Sequence, residues 1–297
     1  MPAKLYSYVV VDVFTETPFE GNPLAVFLDA SGLDGAQMQT LARELNLSET
    51  SFVFPAETPR GTARIRIFTP NREVAFAGHP TIGTAYALVA SGRADSRAET
   101  LILEENVGPI DVRIERRADP FVAWMRTPPI TFGARYDREG CVRALGLAPH
   151  DLFGEAPAQI VTAGNPFLYV PIRDRAAVDR AELDLTAITR IVPDDAIVGV
   201  FVFTPESTGV YARMFAPMSG IREDPATGSA TGPLGAYLAA YGMLELRDGV
   251  RFVNEQGVMI RRRSLIHGII RVRSGALETV EVGGSAVKVI DATVTVS

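Results

Sequence analysis

Two short segments of the chain carry residues that can do acid–base chemistry, and they share one pattern. Each combines a polar side chain, a proline, a glycine, a hydroxyl residue and an alanine: Gly78-His79-Pro80-Thr81-Ile82-Gly83-Thr84-Ala85 and Glu223-Asp224-Pro225-Ala226-Thr227-Gly228-Ser229-Ala230. His79 in the first segment therefore corresponds to Asp224 in the second. An imidazole exchanges a proton near neutral pH, and a carboxylate accepts one, so the two segments offer different chemistry on one scaffold.

Both segments are expected to open a helix. The residues at 80–91 and 225–241 are apolar around nearly the whole circumference, which predicts two buried helices that begin with a proline. The first turn of a helix presents N–H groups that attract an anion. Ordinary helix capping explains one such segment, but a pair in corresponding positions favours a carboxylate-binding pocket. Its donors would come from two glycines and two hydroxyl residues: Gly83, Gly228, Thr84 and Ser229.

A third candidate group is Glu49, which follows Asn46-Leu47-Ser48 and opens an apolar strand. Alignment of residues 49–54 with 198–203 places Val198 opposite Glu49, so only one half of the chain has a carboxylate there. A lone glutamate is most often exposed. The apolar strand that follows Glu49 makes a partly buried acid or base the alternative. We therefore expect one general base rather than a symmetric pair.

These segments belong to a repeat that runs through the chain. Arg66-Ile67-Phe68-Thr69-Pro70 corresponds to Arg213-Met214-Phe215-Ala216-Pro217, and Gly21-Asn22-Pro23 corresponds to Gly164-Asn165-Pro166, in the same order. We therefore expect a duplicated domain. The predicted domains are residues 1–120, joined by a C-terminal strand at 286–297, and residues 121–285, with the junction near 117–135.

Strand signals dominate both halves, and helices are few. Residues 34–46 carry apolar side chains at the spacing of one buried helix face, and Asn46 is the predicted end of that helix. Strands are predicted over 8–14, 63–68, 100–104, 198–203, 266–272 and 287–296. An all-round apolar helix in each strand-rich half predicts a curved sheet wrapped around a central helix.

The composition narrows the classes of function. The 297 residues are 47% hydrophobic with a net charge of −6, and no dense basic stripe is present to bind nucleic acid. No stretch approaches the ~18 consecutive apolar residues of a membrane span. The N-terminal residues lack the apolar core of a signal peptide. Cys141 is the only cysteine, so no internal disulfide forms. These features predict a cytoplasmic protein with no nucleic-acid or membrane partner.

Taken together, the motifs resemble those of the PhzF-like family of phenazine biosynthesis, over essentially the whole chain. They are Glu20-Gly21-Asn22-Pro23, Asn46-Leu47-Ser48-Glu49-Thr50, Arg66-Ile67-Phe68-Thr69-Pro70, Ala77-Gly78-His79-Pro80 and Glu223-Asp224-Pro225-Ala226-Thr227-Gly228-Ser229-Ala230. The resemblance implies an α+β, diaminopimelate epimerase-like fold: two pseudo-symmetric domains, each a curved sheet around a central helix, with the active site in the cleft between them. The characterised activity of the family is isomerisation of trans-2,3-dihydro-3-hydroxyanthranilate, in which one glutamate moves a proton between two ring carbons.

The resemblance also implies roles for single residues. Glu49 would act first as general base and then as general acid, while His79 and Asp224 would hold or polarise the substrate. Ser229 and the N–H groups around Gly78 and Gly228 would bind the carboxylate of a small substrate. The resemblance implies no metal and no cofactor, and it suggests a homodimer.

Two alternatives stay open at this point. Epimerases of the same wider fold use a pair of cysteines, which this chain lacks, but Glu49 and Asp224 could form a two-base site of an epimerase or lyase acting on an amino or hydroxy acid. The second alternative is a non-catalytic protein that binds a small molecule or a partner on the same scaffold.

Overall fold

The computed structural model describes residues 3–116 and 120–296. Its contacts divide the chain into two compact units. Unit 1 contains the described residues up to Met125 and those from Gly283 onward, and unit 2 is Arg126–Val282. Residues 117–119, at the start of the predicted junction, lie outside the described residues.

The first part of unit 1 contains two helices and most of its strands. In chain order these are β1 (Lys4–Val13), β2 (Asn22–Phe27), α1 (Gly35–Leu45), β3 (Glu49–Phe54), β4 (Ala63–Phe68), β5 (Glu73–Val74), α2 (Gly78–Ala90), β6 (Thr100–Glu105), β7 (Gly108–Glu115) and β8 (Val122–Arg126).

Unit 2 follows, and the chain then returns to unit 1. The elements are β9 (Thr131–Tyr136), α3 (Arg138–Ala144), β10 (Ala158–Thr162), β11 (Pro166–Pro171), α4 (Arg175–Arg180), α5 (Leu185–Thr189), β12 (Gly199–Glu206), β13 (Gly209–Ala216), β14 (Ile221–Asp224), α6 (Gly228–Ala240), β15 (Arg251–Gln256), β16 (Ser264–Arg273), β17 (Ala276–Gly284) and β18 (Ala286–Val296). The last strand, β18, pairs with β1 from Lys4–Val296 to Val13–Ala286.

Strand pairing repeats between the two units. In unit 1, β18, β1 and β2 pair antiparallel, β2 and β3 parallel, β3 and β4 antiparallel, β4 and β6 parallel, and β6 and β7 antiparallel. Unit 2 has the same order of pairings from β9 to β16. In both units a short strand, β5 or β14, also pairs antiparallel with the fifth strand of this order, β4 or β13. The internal repeat of the sequence is therefore a repeat of topology.

Each unit has a buried helix and one or more helices on the outer face of its sheet. Most residues of α2 and α6 are buried, as their all-round apolar composition predicts. In unit 2, α6 packs into an aromatic core that includes Tyr169, Phe201 and Phe252. In unit 1, α1 buries Met38 against Phe27 and Phe52 on the opposite face of the sheet. The strands between these layers are buried on both faces.

The helix boundaries differ in part from the predictions. Helix α1 ends at the left-handed cap Asn46, which confirms the predicted end. Helix α2 begins at Gly78, so Pro80 lies inside its first turn. Helix α6 begins only at Gly228, and Pro225 precedes it in the loop. Among the residues at 3–116 and 120–296, no helix has the length and apolarity needed to cross a membrane.

Candidate functional site

In unit 1, β3 and α2 bring Glu49 and His79 together. Glu49 is the first residue of β3 and pairs with Leu24 of β2, while His79 is the second residue of α2. Glu49 Oε2 lies 3.4 Å from His79 Nδ1. The Glu49 side chain is 19% exposed and that of His79 is 5% exposed. The carboxylate is therefore open to a small molecule, whereas the imidazole is largely enclosed by protein.

Burial decides the charge of His79. Removal from water lowers the pKa of the imidazole from 6.5 to about 3. A carboxylate at 3.4 Å favours the charged form, but the loss of hydration outweighs it. The imidazole is neutral at physiological pH, and its Nε2 atom has no hydrogen-bond partner among the residues that the structure describes. A neutral imidazole forms no ion pair with Glu49.

In unit 2, a network of hydrogen bonds holds Asp224. Asp224 is the last residue of β14 and is buried. Its Oδ2 accepts a 2.6 Å hydrogen bond from Thr227 Oγ1, and its main-chain oxygen accepts a 2.7 Å bond from Gln256 Nε2. Although His79 and Asp224 occupy corresponding positions in the repeat, one lies in a helix and the other at the end of a strand.

The central helices begin differently from the outer ones. Each of α1, α3, α4 and α5 has an aspartate whose side chain accepts a hydrogen bond from a first-turn N–H: Asp34, Asp137, Asp174 and Asp184. Helices α2 and α6 have no side-chain cap of this kind. Thr227 is placed to cap α6, but its hydroxyl hydrogen-bonds Asp224 instead. The first turns at Gly78 and Gly228 are therefore left with donors suited to an anion.

The arginine of the repeated Arg-x-Phe motif supports the approach to each segment. Arg66 donates from Nε and Nη2 to both oxygens of Glu73, at 2.8 and 2.6 Å. Arg213 does the same to Glu223, at 3.0 and 2.8 Å. These bidentate pairs fix β5 and β14, the short strands that precede the two segments. In unit 2 the bound glutamate is the residue directly before Asp224.

Ser229, Thr84 and Gly83 differ in what they can contribute. Ser229 is the second residue of α6 and is partly exposed, so its hydroxyl can reach a ligand. Thr84 is fully enclosed within unit 1 and faces no solvent. A Cβ atom on Gly83 would lie 2.6 Å from Val13 Cγ2 and 2.7 Å from Leu24 Cδ2. Gly83 therefore serves close packing of α2, and a part for Thr84 and Gly83 in an anion site stays a prediction.

The strand registers also correct the alignment around Glu49. Leu24 pairs with Glu49 in unit 1, and its counterpart Phe167 pairs with Gly199 in unit 2. The next ladder agrees, because Thr50 pairs with Phe68 and Val200 with Phe215. Gly199, rather than Val198, is the structural counterpart of Glu49. The conclusion that only one unit has a carboxylate at this position is unchanged.

Neither the thiol of Cys141 nor a group of metal ligands adds to the candidate site among the described residues. Cys141 lies in α3, fully buried, and burial raises the pKa of its thiol to about 12. It therefore forms no thiolate near neutral pH. Across residues 3–116 and 120–296, no three side chains of His, Cys, Asp or Glu are grouped so that they could hold a metal ion.

Two buried polar residues next to the segments, Glu105 and Gln256, were missed in the sequence. Each is the last residue of its strand, β6 or β15, and each hydrogen-bonds a threonine of the neighbouring segment. The only sequence feature that could have indicated them is a polar residue at the positions of a strand that face the core. Asn254 and Gln256 of β15 are examples. The assignment of Glu49, His79, Asp224, Ser229, Gly78 and Gly228 to one active site stays a prediction.

Comparison with known proteins identifies relatives along the whole chain. Trans-2,3-dihydro-3-hydroxyanthranilate isomerase of Pseudomonas chlororaphis is 37% identical over 286 residues, which cover 95% of this chain and 97% of that protein. An uncharacterized isomerase of Mesorhizobium japonicum is 38% identical over 296 residues, with coverage of 96% and 97%.

Solved structures agree with the fold. A Bacillus anthracis phenazine biosynthesis protein of the PhzF family superimposes with a TM-score of 0.90 at 28% identity, covering 98% of this chain and 99% of that one. A hydroxyproline epimerase from Agrobacterium vitis has a TM-score of 0.66 at 15% identity, with coverage of 98% and 92%, a likeness of fold alone. The predicted α+β, epimerase-like fold is confirmed. The family model described as phenazine biosynthesis-like protein matches residues 11–292, and the chain therefore belongs to this family.

Proposed function

We propose that the chain is a trans-2,3-dihydro-3-hydroxyanthranilate isomerase-like enzyme that moves a proton between two carbons of a small unsaturated carboxylic acid without a cofactor. Relatives at 36–37% identity that carry this name support the reaction type. The observation that carries the proposal is the partly exposed Glu49 carboxylate beside a neutral, buried His79. A carboxyl group in this setting can reach a small molecule and exchange a proton with it.

The reaction needs one acid–base group and a fixed substrate. Glu49 takes a proton from one carbon, the electron pair shifts along the conjugated system, and the same carboxyl group returns the proton to a second carbon. The substrate and product have the same atoms, so no further reactant is consumed. A positioned general base or acid contributes roughly 10² to 10⁴ in rate.

The remaining residues bind and orient the substrate in this proposal. The uncapped first turns at Gly78 and Gly228, with the hydroxyl of Ser229, supply donors for the substrate carboxylate. His79 and Asp224 hold its other polar groups. An epimerase that uses thiols has no support, because the thiol of Cys141 is buried in α3. The homodimer, the cytoplasmic location and the lack of nucleic-acid or membrane partners stay predictions.

The test is solvent exchange in heavy water. Wild-type protein, Glu49→Gln and the control Glu44→Gln are incubated with trans-2,3-dihydro-3-hydroxyanthranilate, and deuterium in the product is followed by NMR. Glu44 is an exposed residue of α1, so its variant is a matched loss of charge. We expect Glu49→Gln to lose exchange by roughly 10² or more while still binding a non-reactive aromatic carboxylate.

The outcomes separate the alternatives. Unchanged exchange in Glu49→Gln contradicts the assigned base. Exchange that inverts a stereocentre without a double-bond shift identifies an epimerase, and chiral chromatography of the product detects it. Failure of the wild-type protein to exchange any of a panel of small unsaturated, amino and hydroxy acids, despite binding them, identifies a binding protein.

A further inference from the structure

Glu105 and Gln256 occupy the same place in the two units. Arg64 of β4 pairs with Glu104, and its counterpart Tyr211 of β13 pairs with Glu255. The next residues, Glu105 and Gln256, therefore correspond, and both are buried. Each is the last residue of a strand, β6 or β15, that pairs parallel with the strand of the Arg-x-Phe motif, β4 or β13. Each also lies next to the segment that contains His79 or Asp224.

In unit 2, Gln256 acts on Asp224 through Thr227. Gln256 Nε2 donates to Thr227 Oγ1 at 3.0 Å, and Gln256 Oε1 accepts from the Thr227 main-chain N–H at 3.2 Å. Thr227 Oγ1 then donates its single proton to Asp224 Oδ2 at 2.6 Å. The amide supplies the donor that lets the hydroxyl point its proton at the carboxylate. In this series of hydrogen bonds from Gln256 to Asp224, each proton has one acceptor.

In unit 1, the two contacts of the Thr81 hydroxyl favour a proton on Glu105. Thr81 Oγ1 lies 2.8 Å from the main-chain oxygen of Ala77 and 2.6 Å from Glu105 Oε1. A threonine hydroxyl has one proton, so it can donate to only one of these oxygens. Both contacts are hydrogen bonds only when the hydroxyl donates to Ala77 and the carboxyl group of Glu105 donates to the hydroxyl.

The surroundings of Glu105 also favour the neutral acid. Its second oxygen, Oε2, has no hydrogen-bond partner among the residues described, a costly position for a charged carboxylate. Burial raises the pKa of Glu105 to about 8, against the opposing charge of Arg64 on β4. Helix α2 has two titratable groups, His79 and Tyr86, and burial keeps His79 neutral.

We propose that Glu105 and Gln256 are equivalent positioning residues, and that Glu105 works as a neutral carboxylic acid whose O–H fixes Thr81 and the first turn of α2 around His79. Thr81 is two residues beyond His79 in that turn, so a change in its hydrogen bonds alters the placement of the imidazole. The catalytic part of this inference rests on the proposed isomerase function. It implies that an amide, the group already present at Gln256, can replace the carboxyl group of Glu105.

Turnover of three variants tests the positioning role. Glu105→Gln keeps a donor, Glu105→Leu removes it, and Glu99→Gln makes the same substitution at an exposed residue as a control. We expect Glu105→Gln to keep kcat/KM within about threefold at pH 7, and Glu105→Leu to lower kcat by about ten- to a hundredfold with little change in KM. Wild-type activity should fall as pH rises through about 8, and this decline should be absent in Glu105→Gln.

A measurement without substrate tests the protonation state alone. Infrared difference spectra of wild type minus Glu105→Gln at pH 7 should contain the C=O band of a protonated carboxyl group, which disappears by pH 10. Absence of the band, or a Glu105→Gln variant as impaired as Glu105→Leu, overturns the inference. If Glu105→Leu does not fold, the amide variant and the spectrum decide the question. Lack of turnover by the wild-type protein, with the band present, contradicts the proposed function and not the neutral acid.

Discussion

Two buried titratable groups of unit 1, Glu105 and His79, should change its stability with pH in opposite directions. Burial raises the pKa of Glu105 from its ordinary value of 4.5 to about 8, so its contribution to stability is full below pH 4.5 and is lost as pH rises to 8. His79 has a pKa of about 3 against 6.5, so its contribution is full above pH 6.5 and is lost as pH falls toward 3. The two slopes oppose each other between pH 4.5 and 6.5.

Replacing Glu105 by glutamine isolates one of these slopes. When a group is protonated in the folded protein but not in the unfolded chain, the free energy of unfolding falls by about 1.4 kcal/mol for each unit that the pH rises. Between pH 5 and 7 the folded wild type holds the Glu105 proton and the unfolded chain does not. The free energy of unfolding of Glu105→Gln minus that of wild type should therefore increase by about 3 kcal/mol over this range.

Trp124 provides the assay. It is the only tryptophan of the chain, is buried, and belongs to unit 1 with Glu105, so its fluorescence reports the unfolding of that unit. Urea unfolding of wild type, Glu105→Gln and Glu99→Gln is measured at pH 5, 6, 7 and 8. The Glu99→Gln difference should be flat with pH, because the residue is exposed. A difference for Glu105→Gln that is also flat, or that decreases with pH, refutes the reasoning.

Three further predictions concern His79, Gly83 and Cys141. Nitrogen NMR of the His79 ring should show a neutral imidazole from pH 5 to 8, since burial places its pKa at about 3, and an imidazolium pattern at pH 6 would contradict this. Gly83→Ala should lower the free energy of unfolding by about 1–3 kcal/mol in the same urea assay, because its Cβ would overlap Val13 and Leu24; wild-type stability would disprove the close packing. The Cys141 thiol should resist iodoacetamide in the native protein, and Cys141→Ala should retain isomerase activity; loss of activity in that variant would reopen a role for the thiol.

The repeat was visible in the sequence because its motifs combine residues with strict backbone or charge requirements. Arg66 and Arg213 recur since each forms a bidentate pair with a glutamate of the following short strand. The central helices were also predictable, because only a helix buried on all sides lacks a polar face. Resemblance to the PhzF-like family supplied the candidate roles, which composition and spacing alone did not contain.

The residue-by-residue alignment of β3 with β12, its counterpart in unit 2, was not predictable by the same reasoning. Residues 50–53 of β3 are buried on both faces, between α1 on one side and α2 on the other, so the sequence has no alternation of polar and apolar residues to set the register. The alignment of residues 49–54 with 198–203 placed Glu49 opposite Val198. Hydrogen-bonded ladders, which a linear pattern does not contain, align Glu49 with Gly199 instead.

Glu105 and Gln256 were missed for a different reason. A glutamate at a strand end, next to Asn106 and a turn, has the sequence pattern of an exposed residue. Its burial depends on the approach of Thr81 from a helix more than twenty residues earlier, and that contact is a property of the tertiary structure. The start of α6 also differs from the prediction. Pro225 suited a helix start, but Thr227 hydrogen-bonds Asp224, and the helix begins three residues after Pro225, at Gly228.

The pairing of β18 with β1 determines the order in which the chain can fold during synthesis. All of unit 2 is one continuous segment, so it can form its pairings as soon as Val282 has left the ribosome. Unit 1 must wait for the last strand, because Lys4 pairs with Val296 across nearly the whole length of the chain. Such distant pairings are slow to close. The half that carries Glu49 and His79 should therefore mature last, and a truncated chain that lacks β18 should contain a folded second half and an incomplete first half.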